Sequence, residues 1–257
     1  MKPKPNEISG VTRSYPRLPG DVLPMIRMLR CLLPVGCLAL AFSVAISGDG
    51  KKYSIKATDN PAPMELTKPI QNLLNGASVQ LLDGTGELIC EIWFRKEIPT
   101  DAAPEQIKTG VTYREVKQTE IFGAIQFHKD WADYRKQKVK AGVYTLRLAY
   151  QPADGKHTLE HSEFQEFLLV TAAKADTRTA LMEPKDLREI SGDSIGSGHP
   201  GVFMLWPNTK PGAEPSLAAR PRDHWVLNAK ANLVVGGKAI GTPLGIGLNL
   251  VGHSPAE

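Results

Sequence analysis

Cysteine is scarce in this chain, three in 257 residues. Cys31 and Cys37 sit in an N-terminal apolar run, which leaves Cys90 alone in the remainder. A lone thiol excludes an intramolecular disulfide and with it the stapled scaffolds of small exported domains. The roughly 210 residues that follow can bury one sizeable core without such staples. A long hydrophobic run is missing too. The longest, from Cys31 to Ile46, is shorter than the roughly 20 apolar residues of a spanning helix and contains Pro34. There is no internal repeat, no low-complexity tract and little sustained helical periodicity.

The N-terminal segment reads as an export signal. Arg27 and Arg30 precede the apolar run, and Ala45-Ile46-Ser47 supplies small residues at the spacing a signal peptidase reads. Cleavage is expected between Ser47 and Gly48, with residues 25–47 as the signal peptide and residues 1–24 as an over-called extension. Retention as an uncleaved anchor is the alternative. A lipoprotein reading through Cys37 fails on position, because too little apolar chain precedes it. Of the 31 basic and 27 acidic side chains, residues 1–47 carry six and two, leaving 25 of each. The mature chain is formally neutral and has no electrostatic footprint for nucleic acid or an anionic membrane.

What is present from residue 51 onward is period two. In "ELICEIWF", Leu88, Cys90, Ile92 and Phe94 share a face; "GVYTLRLAY" groups Tyr144, Leu146, Leu148 and Tyr150. "EFQEFLLV" ends apolar on both faces, as a central strand does. With "KKYSIKA", "ASVQLL", "IFGAIQFHKDW", "GVFMLW", "HWVLNAKANLVV" and "LGIGLNL", nine strands are expected. "DGTG" (83–86) and "GGKAIGTP" (236–243) read as turns between strands. Two short helices are expected at 67–76 and 183–192, the second started by Pro184 and stopped by Gly192. "RKEIPTDAAPEQIKTG" and "PNTKPGAEPSLAARPRDH" read as long proline-rich loops. The lead-in and strand "KVKAGVYTLRLAY" resemble the "AGTYTL" strand of exported bacterial β-sandwich families of unknown function, and the order of flanking strands over residues 87–170 is similar. That resemblance implies a sandwich fold and export, and it carries no catalytic residue across.

Two motifs point to enzymes. "HTLEH" (157–161) matches the H-x-x-E-H of inverted zinc proteases, in which two histidines one helical turn apart meet a zinc. Here a turn precedes it and a strand follows, and in that setting positions i and i+4 do not converge. "ISGDSIGSGHPG" (190–201) fits G-x-S-x-G around Ser194 and G-x-G-x-x-G from Gly196. Both devices need strand, turn, then helix, whereas this chain has helix, glycines, then strand. Asp223-His224 offers an acid and a base, but neighbours in an extended chain face opposite ways. The histidines at 128, 157, 161, 199, 224 and 253 are scattered, and Cys90 belongs to an apolar face as an inert buried thiol. Trp131, Tyr134 and Arg135 in "HKDWADYRKQK" form the best candidate ligand surface, where the rings would stack on a sugar or peptide.

The expected architecture is therefore a single all-β domain over residues 48–257, a β-sandwich of about nine mostly antiparallel strands with one or two short helices. The expected function is a non-catalytic exported module, periplasmic or extracellular, that binds a protein or carbohydrate of the envelope or serves structurally. No cofactor, metal, nucleic acid or membrane span of the mature chain enters this reading. The runner-up is a secreted hydrolase using zinc or a serine.

Overall fold

A computed structural model describes residues 52–152 and 162–255. The nine expected strands are all present: β1 (Tyr53–Thr58), β2 (Ser78–Asp83), β3 (Leu88–Phe94), β5 (Ile121–Phe127), β8 (Gly142–Tyr150), β9 (Glu166–Ala172), β10 (Gly201–Trp206), β12 (His224–Val235) and β13 (Lys238–Val251). Four shorter ones join them: β4 (Glu97–Pro99), β6 (Trp131–Ala132), β7 (Lys138–Val139) and β11 (Ser216–Arg220). Three helices accompany the strands, α1 (Lys68–Leu73), α2 (Pro104–Thr109) and α3 (Pro184–Ile195). None of the described helices is long and apolar enough to cross a membrane.

The all-β expectation holds, but the strands do not divide into a nine-strand sandwich. They form one sheet in the order β1-β2-β3-β5-β8-β9-β10-β13-β12-β11, with β4 added on β12 as the eleventh strand and β6–β7 as a separate ribbon. The joint is β10. Residues Gly201–Met204 pair with β9, while Leu205 and Trp206 pair with β13. A strand shared in this way turns two would-be layers into one curled sheet. All pairings along it are antiparallel except that of β4 with β12.

Alternation decides which side each residue takes. Ile92 and Phe94, Leu168 and Val170, and Phe203 and Leu205 join Leu227 and Leu248 in a single core enclosed by the sheet. Their immediate neighbours face outward and are covered in turn. Trp93 packs with Ile70 and Leu74 around α1, and Leu169, Val202 and Met204 pack with Leu187 of α3. This double covering explains why the central strands read apolar on both faces.

Two helix ends and one turn follow directly from local chemistry. Pro69 and Pro184 occupy the first turns of α1 and α3, where a missing N–H costs nothing. Gly192 does not stop α3. The helix runs to Ile195, and Gly196, at φ +70°, supplies the left-handed cap. Gly192 lies inside the helix, where a Cβ would stand 2.9 Å from the Ser197 carbonyl oxygen, so the close approach of the following loop favours glycine there. Gly236 and Gly237 both take positive φ, 56° and 78°, and close the β12–β13 hairpin.

Candidate functional site: a window in the sheet wall

The two ends of the sheet approach each other, and two devices close them. At one end Tyr53 of β1 packs edge-on to Trp225, ring centroids 5.4 Å apart, and to Trp131, 6.5 Å apart. Trp131 is fixed there because its Nε1–H donates to the Leu250 carbonyl at 3.0 Å. At the other end the chain leaves β3 and lays β4 alongside β12, pairing Glu97–Pro99 with Asn232–Val234. On that same side of β12, strand β11 reaches only as far as Asn228. Ala229 to Ala231 thus lie between two short partners and pair with neither.

That gap is a cleft of about 200 Å³. Its floor is formed by core residues Val79, Ile92, Phe94 and Ala229, and Pro215 and Glu214 close one side. The walls are low because Ala57 and Ala77 carry only a methyl group. Lys56 on β1 and Lys230 on β12 are exposed beside it, and neither takes part in an ion pair among the described residues. Among the described residues β1 pairs only with β2, and β11 only with β12. Two strand edges with unused backbone groups therefore border an opening onto the apolar core.

Behind the β1 lip lies a buried carboxylate. Glu91, 4% exposed in the middle of β3, accepts from Thr58 Oγ1 at 2.9 Å, Asn60 Nδ2 at 2.8 Å and Gln80 Nε2 at 3.3 Å, and from Ser78 Oγ. Burial alone would raise its pKa. The donors, led by Ser78 and Asn60, outweigh burial and hold it below the ordinary carboxylate value. The network ties β1, β2 and the segment after β1 to β3, and so positions one lip of the window. Cys90, next in the strand, is buried in the core, and burial followed by the charge of Glu91 pushes its thiol well above the usual range. A thiol of that kind is a poor nucleophile.

The residues singled out by sequence are placed elsewhere. Tyr134 is 3% exposed, its ring packed against Phe167 and His224. Trp131 is half-buried in the seam and Arg135 is exposed. These three do not share one exposed face, because the aromatic pair contributes to packing. His224 is buried between Tyr134 and Trp206 with Nδ1 3.1 Å from Asn249 Oδ1. His253 Nδ1 lies 3.0 Å from the Asp133 carbonyl. His128 and His199 are exposed. No three His, Cys, Asp or Glu side chains gather as a metal site among the described residues. Ser194 lies inside α3, where its hydroxyl donates to the Ile190 carbonyl at 2.6 Å and accepts from the Ala172 N–H at 2.9 Å. An oxygen so engaged is held by structure, and the residue is on a helix rather than at a strand-to-helix elbow. Asp223 is exposed while its neighbour His224 is buried, so the two face opposite ways. "HTLEH" and the Ser47–Gly48 junction lie outside the described residues.

Sequence reasoning missed the window itself. Its one legible trace is Glu91, an acidic residue within an otherwise apolar strand. The alanines that make the opening resemble any others in a strand. No family model, no curated protein and no solved structure matches this chain.

Proposed function

We propose that this protein is an exported, non-catalytic binding module and that its ligand enters the window between β1, β2 and β12. The carrying observation is the cleft of about 200 Å³, floored by Val79, Ile92, Phe94 and Ala229 and bordered by unpaired strand edges. An apolar floor with a few polar groups at the rim is the usual make-up of a binding pocket. Export rests on the order of Arg27, Arg30, the apolar run and Ala45-Ile46-Ser47, and it points to a partner among the proteins or carbohydrates of the envelope.

Two measurements test this reading. N-terminal sequencing of the native protein should begin at Gly48. Phenol, titrated as a small apolar probe, should shift the amide resonances of Ala57, Val79 and Ala229 and leave those of β8 unmoved. Ala229→Leu, which fills the opening, should abolish those shifts. Uniform or absent shifts in the wild-type protein would remove the window from consideration.

A further inference from the structure

Resting on the window as the binding site, we infer that its occupant is an extended peptide segment that inserts one large apolar side chain flanked by acidic residues. Size is the first argument. Sites for whole small molecules run from roughly 300 to 1,000 Å³, whereas an apolar cavity of roughly 150 Å³ holds a single benzene ring. At about 200 Å³ this cleft has room for one phenyl or leucyl group.

The second argument concerns the backbone. The unpaired edge of β1 borders the opening at Ala57, and across it Ala229 and Lys230 pair with neither β11 nor β4, although the Ala229 carbonyl accepts from Asn208 Nδ2 at 3.2 Å. Unused N–H and C=O groups on a strand edge recognise another extended chain, and pockets beside the edge select its alternate side chains. A small apolar molecule would leave those groups without a protein partner, while a peptide uses both features together.

Charge then selects the flanks. Lys230 lines the cleft and Lys56 precedes the lining residue Ala57 on β1; both are exposed and without an ion pair among the described residues, and Glu214 is the one acidic residue among the lining residues. In an extended peptide the neighbours of the inserted residue point away from the floor, which carries acidic side chains out toward these lysines.

The experiment uses the protein as its host produces it and a fluorescein-labelled, end-blocked peptide of sequence Thr-Glu-Phe-Glu-Thr, read by polarisation. Replacing the central Phe by Ala should weaken binding 10-fold or more, the effect of losing one buried aromatic side chain. N-methylation of the alternate amides that face the protein edge should weaken it similarly, which a purely side-chain contact would not do. Ala229→Leu should abolish binding. Should that variant fail to fold, the exposed Lys230→Glu carries the test, with at least 3-fold weaker binding of the Glu-flanked peptide and recovery with Lys flanks. If phenol shifts the window resonances while every peptide fails to bind, the peptide inference falls and the window reading stands. If neither binds, both fall.

Discussion

Strand β8 has β5 along one edge and β9 along the other, while β1 has β2 on one side and, on the other, only the ring contacts of Tyr53 with Trp225 of β12 and Trp131 of β6 among the described residues. The outer face of β8 is closed by charge. Arg147, with a fully buried side chain, pairs through Nε and Nη2 with Asp176 at 2.7 and 2.9 Å and donates to the carbonyls of Thr119, Arg178 and Ala180. Thr145 adds a 2.6 Å bond to the same carboxylate. At the seam the only ion pair among the described residues is Lys52–Asp223, 3.7 Å long and open to water. One side of the sheet is thus closed by a hydrogen-bonded ladder and a satisfied buried ion pair, the other by three aromatic rings and the three-residue pairing of β4 with β12. Opening free energies differ within a structure according to such local support. The seam should open first, and it is where a ligand strand would gain most.

Breaking the closed side gives the largest effect. Asp176→Ala leaves a buried guanidinium without its counter-charge, and removal of one partner of a buried pair costs about 3–5 kcal/mol. Urea unfolding should shift as a single transition, with probes in β1 and β8 moving together. A loss under about 1 kcal/mol would mean that the 173–183 segment rearranges to rescue the charge, and the contrast between the two sides would collapse.

Glu91→Gln comes next and separates the two sides by pH. Each neutral donor bonded to a carboxylate gains more than it does from an amide, so the substitution should cost about 1–3 kcal/mol at pH 7. The folded-state pKa of Glu91 lies below the ordinary 4.5. Its stabilising contribution is therefore present above that value and is lost as pH falls through the folded pKa. The gap between wild type and Glu91→Gln should be widest at neutral pH and narrow on acidification. A gap that stays constant from pH 7 to pH 3 would show that the carboxylate's charge is not what holds β1.

Tyr53→Ala should cost less, about 1–2 kcal/mol, from lost burial and two edge-on ring contacts. Its signature is location. Hydrogen exchange should accelerate in β1 and β11 and stay unchanged in β8 and β9. Equal acceleration in both would mean the seam is not a separate unit of opening.

How much of this contrast was legible beforehand depends on what each feature needs. Most of the nine strands declare themselves because alternation over five or more residues sets the faces, as with Leu88, Cys90, Ile92 and Phe94. Strands β4, β6 and β7 have three, two and two residues, too few to show a period, and β11 hides within a proline-rich segment. Helix α2 begins at Pro104 inside another segment read as a loop. Alternation also says which face a residue takes but not which strand lies beside it, so one curled sheet and two stacked layers share a pattern. The strand that decides between them is β10, whose six residues serve two neighbours. Cap position failed for a similar reason: Gly192 and Gly196 are equal in sequence, and only Gly196 has the left-handed backbone. Of the aromatic residues expected on a ligand surface, Tyr134 is buried between Phe167 of β9 and His224 of β12, whereas Trp131 stays half-buried, because the sequence around an aromatic residue does not say which neighbours will cover it.

The smallest effect expected is at Lys52–Asp223. Both side chains are largely exposed, 57% and 82%, at the mouth of the seam. Exposed pairs of this kind contribute about 0–1 kcal/mol, because water already solvates both charges and ordering two flexible side chains offsets the attraction. Lys52→Met should therefore change global stability by no more than about 0.5 kcal/mol. Salt gives an independent check, since the Debye length falls to roughly 3 Å at 1 M and exposed charges stop sensing each other. Exchange rates of the β1 amides at 1 M sodium chloride should stay within about 2-fold of their low-salt values, far less than the change produced by Tyr53→Ala. If salt opens β1 as much as loss of the tyrosine ring does, the seam is latched by charge, and its closure would follow ionic strength rather than apolar packing.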